Sequence, residues 1–127
     1  MGVLIVADYL PKFTPGAAIT CSASAAVTGG RLVVVTGNRL IGPADDTSSA
    51  RVIGVAGFDA PAGESVTVYT RGSGVHPLTA GAAIAAGDKV TSAAAGKVAT
   101  ATAGVDVLGV ALEAATTDLD VIDVLFV

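Results

Sequence analysis

The feature that most narrows the possible folds is an internal repetition. Ala26-Val27-Thr28-Gly29-Gly30-Arg31-Leu32-Val33 is answered by Ala83-Ile84-Ala85-Ala86-Gly87-Asp88-Lys89-Val90. Further on, Gly37-Asn38-Arg39-Leu40 corresponds to Gly96-Lys97-Val98, and Ile53-Gly54-Val55-Ala56 to Leu108-Gly109-Val110-Ala111. Ser65-Val66-Thr67-Val68 matches Asp123-Val124-Leu125-Phe126 more loosely. The matches keep their order over about 45 residues, as copies of one supersecondary unit do. In each copy a small apolar residue precedes a Gly-containing turn, and a Val-rich strand follows. Gly30 and Gly87 are placed to supply φ > 0 at that turn. Gly54 and Gly109 lie inside strands, where glycine marks a bulge or a close backbone approach. The reading is of two similar strand-turn-strand units, residues 25–70 and 82–127, within a single β domain over 25–127. Residues 1–24 then form an N-terminal arm and first strand.

Strand and turn signals run through the whole chain. Short β-branched runs such as 32–36, 51–56, 65–70, 89–91, 107–112 and 120–127 are cut by Gly, Pro, Asn and Asp. Their spacing predicts an all-β fold, a small barrel or sandwich. Ala93-Ala94-Ala95 is too short for a helix and reads as a turn. Ala111-Leu112-Glu113-Ala114-Ala115 allows a single helical turn at most before Thr116-Thr117. The stretch from Tyr9 to Pro15 is punctuated by prolines and holds Tyr9, Leu10, Pro11, Lys12 and Phe13. An extended docking arm and a plain edge strand both fit it.

Composition bears on what such a fold could do. Hydrophobic residues make up 52% of the 127, yet aromatics are only 4% and charged residues 14%. A surface this poor in charge is either small-residue and bland, as in a monomer rich in Ala and Gly, or partly covered by neighbours, as in an oligomer or assembly subunit. The seven basic residues are scattered singly and the net charge is −4. That leaves no stripe to neutralise phosphates and no polybasic patch for a membrane, so neither nucleic acid nor membrane is an expected partner. No apolar run is long enough for a transmembrane helix. The start lacks the cationic region of a signal peptide, and Val6 stands where a myristoylation signal needs Ser or Thr. One cysteine, Cys21, excludes an intramolecular disulfide. With no basic neighbour, it reads as a small buried side chain.

Reactive constellations are missing from the pattern. His76 is the one histidine and has no supporting nucleophile motif. One His and one Cys are too few for a zinc site. Asp45-Asp46 and Asp118, Asp120 and Asp123 do not follow an EF-hand spacing and read as a solvated rim, with Asp118 and Asp120 on one face. Thr28-Gly29-Gly30-Arg31 feeds a strand rather than the helix a phosphate cradle needs. No catalytic residue, cofactor or metal site is assigned, and the chain is not expected to be an enzyme.

Taken together, Pro15 to Thr20, Ala25 to Val33, Gly54-Val55-Ala56, Ala62 to Val68, Ala80 to Val90 and Gly109-Val110-Ala111 resemble the capsid decoration, or cement, proteins of tailed phages. The resemblance runs from about residue 9 to the end and implies a β-tulip or related barrel. It further implies a structural virion protein on the outer capsid surface, assembled in the host cytoplasm. Such a protein forms homotrimers that bind the major capsid protein and reinforce capsomer junctions. The arm, Tyr9 to Phe13, would help grip the shell. Leu78 to Val90 is also similar to the β-clip (SAF-type) pattern, which implies a binding module for a small ligand or carbohydrate instead.

Overall fold

The computed structural model describes residues 12–13, 16–103 and 105–127. It contains ten strands: β1 (Ala18–Ala23), β2 (Leu32–Gly37), β3 (Leu40–Pro43), β4 (Val52–Ala56), β5 (Ser65–Thr70), β6 (Val75–Thr79), β7 (Lys89–Ser92), β8 (Val98–Thr100), β9 (Gly109–Ala111) and β10 (Val121–Phe126). Three one-turn 3-10 segments, Ser49–Arg51, Arg71–Ser73 and Ala94–Gly96, are the helical elements among the described residues. The expected small all-β barrel fold is what forms. Residues 111–115 take no helical turn, because the Ala115 N–H and C=O are exchanged with those of Ile84 at 2.8 and 2.9 Å.

The first five strands close into a barrel in the order β1-β3-β2-β4-β5. The second five form a sheet in the order β6-β10-β9-β7-β8. Its outer strands meet at one isolated parallel pairing, Ala80 with Val98. Read as a ring, that sheet repeats the first barrel strand for strand: β6 stands for β1, β7 for β2, β8 for β3, β9 for β4 and β10 for β5. The correspondence therefore includes β1, which the sequence matches had left outside the repeat.

Hydrogen bonds make the equivalence residue-specific. Gly30 N–H donates to Ala56 O, and Gly87 N–H to Ala111 O, each at 2.8 Å. Val27 and Ala60 exchange backbone bonds, as Ile84 and Ala115 do. Gly30 and Gly87 have φ of +81° and +90°. Each of the nine buried apolar residues of the first barrel has a buried counterpart in the second. Cys21 answers to Leu78, Val33 to Val90, Ile41 to Val98, Val66 to Ile122 and Val68 to Val124. A five-stranded barrel is narrow, which fits interiors of Val, Ala, Ile, Leu and Cys with hardly an aromatic ring.

Two sequence matches shift in the structure. Ser65 lies opposite Ser22, and Val121 opposite Thr79, so Ser65 corresponds to Val121 and not to Asp123. The loose match was two residues off; because side chains alternate with period two, such a slip preserves the inside-outside pattern. Likewise Ile41 sits beside Ala23 as Val98 sits beside Ala80. Arg39 (φ +56°), not Gly37, is thus the partner of Gly96 (φ +74°).

The first three residues of β2 are buried on both faces. Val33 points into the first barrel, whereas Leu32 and Val34 join Ala44, Val52 and Val55 in one buried cluster with the second unit. The outer face of β2–β4 is thus the seam between the two units. Fully burying a side chain of this size contributes about 1.5–3 kcal/mol relative to exposure, so the seam is a substantial part of the fold's stability.

Candidate functional site

Polar groups at the seam are ordered by one another. The segment after β3 carries Asp45 and Ser49; β7 carries Thr91 and Ser92. Ser92 N–H donates to Ser49 Oγ at 3.0 Å, and Ser92 Oγ–H donates to the Asp45 carbonyl at 2.6 Å. Ser49 Oγ also lies 2.7 Å from Ser92 Oγ and 2.5 Å from Thr91 Oγ1. A carbonyl only accepts, and this fixes the direction of the chain. Ser92 gives its proton to Asp45 O, Ser49 gives its own to Ser92, and Thr91 gives its own to Ser49. No buried side-chain N or O among the described residues lacks a partner. The serines are thus tied to each other, to Thr91 and to the Asp45 backbone across the seam.

A second tie lies beside the first. Gly96 N–H donates to Ala44 O at 2.8 Å, and Arg31 Nη1 donates to Ala95 O at 3.3 Å. A Cβ on Gly96 would sit 2.8 Å from Leu32 O, so the turn of the second unit rests directly on β2. At the other end, Arg71 donates from Nη1 to Val52 O and from Nη2 to Val127 O, at 3.4 and 3.2 Å. One guanidinium thus spans the first unit and the end of the chain.

The strand glycines meet backbone at close range. A Cβ on Gly54 would fall 2.1 Å from Tyr69 O, and one on Gly109 2.3 Å from Leu125 O. Among the arm residues, Tyr9, Leu10 and Pro11 lie outside the described residues. Lys12 is exposed. Phe13 is half-buried, with the Arg39 guanidinium 5.2 Å from its ring centroid. Part of the arm is therefore held by the body of the protein through a cation–π contact.

His76 lies within β6, buried, with its ring edge-to-face on Phe126 at 5.0 Å. Residues 75–79 are not among the β-branched runs that the sequence marks as strands. Pro77 obscured the strand, since proline is tolerated only at a sheet edge. Burial lowers the His76 pKa below its ordinary 6.5, and a hydrogen bond with the Thr70 backbone opposes that shift. Cys21 is buried as expected, and loss of solvent raises its thiol pKa, with Arg39 pulling weakly the other way.

The acidic clusters serve turns. Asp45 Oδ1 accepts from Thr47 N–H and Thr47 Oγ1, each at 2.9 Å. Asp120 Oδ2 accepts from the N–H and hydroxyl of Thr116 and from Thr117 N–H. Asp118 instead pairs with Lys97 Nζ at 2.9 Å. Asp118 and Asp120 do not share a face, because Leu119 between them has φ +73° and breaks the strand alternation. The described residues hold no group of three His, Cys, Asp or Glu arranged for a metal. Three surface depressions, of about 190, 160 and 280 Å³, are smaller than the roughly 300–1,000 Å³ of small-molecule pockets.

A closed barrel and a second five-stranded sheet of matching strand order, joined by a buried apolar cluster with hydrogen-bonded serines beside it, define an all-β structural module. The sequence profile of the phage cement protein family matches residues 13–126. The chain belongs to that family and is a phage structural, capsid-associated protein. Among solved structures, the fold is similar to the N base of head fiber gp8.5 of bacteriophage phi29. The TM-score is 0.69 at 23% identity, covering 87% of this chain and 92% of that one. The search of curated proteins returned no match.

Proposed function

We propose that this protein binds the outer surface of a phage capsid as a homotrimer, contacts the major capsid protein, and reinforces capsomer junctions without catalysing a reaction. The observation that carries the reading is the cement-family match over residues 13–126, the span that folds into the barrel and its matching sheet. Rigidity suits the task. A plug that resists outward pressure gains from a seam with no polar vacancy, and many weak contacts gain by repetition when the partner surface is itself repeated. The arm, from Tyr9 through Phe13, contributes to the grip, with Phe13 tethered by Arg39 at its root.

The test mixes the purified chain with undecorated heads of the cognate capsid protein. Saturable, stoichiometric co-sedimentation is expected, with a trimer by light scattering in solution. A chain that stays in the supernatant at every concentration refutes the reading. Deleting residues 1–13 should leave a folded core that binds more weakly; undiminished binding removes the arm from the account.

A further inference from the structure

The duplicated fold supplies an internal control for its own surface. Strands β5 and β1 pair in the first unit as β10 and β6 do in the second. In the first unit the outward residues of this pair are Thr20, Ser22, Ser65 and Thr67, with Ala18 and Tyr69 at one end. In the second unit the same positions hold Pro77, Thr79, Val121 and Asp123, with Val75 and Leu125 at that end. Val75 is 49% exposed, Val121 62% and Leu125 40%. At Val121 and Pro77 the fold itself does not require apolar residues, because the twin positions hold Ser65 and Thr20; at Leu125 the twin is Tyr69, which is exposed as well. The one outward face that is strongly apolar in the first unit, on β2–β4, is the face covered by the second unit. By the same logic the β6–β10 face belongs under a partner.

Charge selects between partners. Asp123 stands among the apolar residues of this face, and its N–H donates to Glu113 Oε1 at 2.8 Å, which brings a second carboxylate alongside. Residues 71–127 carry six Asp or Glu against three Lys or Arg. The outward cation of this sheet, Lys89, stands two strands from Leu125, beyond Val110. Two copies meeting through this face would bring like charges together at its centre, at a cost. A foreign surface with apolar contacts and basic groups opposite Asp123 and Glu113 meets no such cost.

We propose that the outward β6–β10 face of the second unit is the surface that seats on the capsid protein, and that the patch it meets is apolar with Lys or Arg at its centre. This rests on the cement reading above. The arm root lies at the same end of the molecule: Ala17 O accepts from Thr70 N–H, and Arg71, next in the chain, reaches Val127 O.

The experiment compares binding to undecorated heads of wild type, of Val121→Lys with Leu125→Lys, and of Thr20→Lys with Ser65→Lys on the corresponding face of the first unit. The first pair should weaken binding about tenfold or more, as loss of apolar anchors does; the second should leave it within about twofold. Equal binding by wild type and both variants overturns the face and leaves the cement reading intact. Wild type that fails to sediment removes the reading and the face with it. Sedimentation velocity identifies the other occupant: loss of oligomer mass in the first pair with unchanged head binding makes this a self-contact and overturns the proposal. If that pair does not fold, Val121→Cys and Ser65→Cys are each labelled with a bulky maleimide, Cys21 being buried. A label at 121 that blocks head binding while one at 65 does not supports the face; equal binding overturns it.

Discussion

Ser49 and Ser92, 43 residues apart in sequence, are hydroxyl partners at 2.7 Å in the buried seam between the two units. Their chain of protons ends on the Asp45 carbonyl, so neither hydroxyl can be replaced alone without stranding a neighbour. Ser49→Ala leaves Ser92 N–H without its acceptor and should cost about 1–3 kcal/mol. The double variant with Ser92→Ala should cost less than the sum of the singles, because the Ser49–Ser92 hydroxyl bond is lost in each single and counts only once in the double. Urea unfolding of the four proteins measures this. Strict additivity would mean that the hydroxyls act independently.

Gly54 and Gly109 should be the least replaceable glycines. Alanine at either drives its Cβ into a backbone carbonyl on the neighbouring strand, at about 3 kcal/mol or more. Gly30 and Gly87 have open space at the Cβ position and only the positive φ to oppose it. Alanine there should cost about 1–2 kcal/mol, and valine more. Thermal or urea melts rank the four. A Gly54→Ala protein as stable as Gly30→Ala would contradict the close approach.

Leu119 offers a gain. Its N–H donates to Ala80 O as Gly63 N–H donates to Ala23 O, and it has φ +73° where Gly63 has +91°. The leucine side chain is 58% exposed, so little packing is lost on removing it. Leu119→Gly should raise stability by about 0.5–1 kcal/mol, the left-handed strain relieved less the extra freedom of the unfolded chain. An unchanged or lower urea midpoint would show the strain to be absent.

Stability should fall with acid in two separate windows. The His76 pKa is lowered in the folded state, so the unfolded chain binds the proton more readily. Stability is full above about pH 6.5 and declines as pH drops below it. Asp45 and Asp120 are held below their ordinary 3.8, chiefly by hydrogen bonds from Thr47 and Thr116. Their contribution persists above that value and is lost as pH falls through the lowered folded values. His76→Phe should flatten the first window and leave the second. Urea midpoints between pH 8 and 2 test this, and an unaltered slope in the variant below pH 6.5 would exonerate His76.

The sequence by itself determined the local grammar: Val-rich strands cut by Gly turns, the ordered recurrence of Gly30 with Gly87 and of Gly54 with Gly109, and the buried thiol of Cys21. These are legible because alternation and φ > 0 are properties of a few neighbouring residues. Register was not, since a two-residue slip of Ser65 against Val121 or Asp123 leaves every side chain on its own face. Nor was β6, where Pro77 hides a strand that only its pairing with β10 creates. Tertiary structure alone decided that β1 joins the repeat by pairing with β5, that Leu32 and Val34 go under the second unit, and that Val121 and Leu125 stay outside. Such outcomes depend on contacts between residues far apart in the chain, and an apolar strand face reads the same in sequence whether its own fold covers it or a partner must.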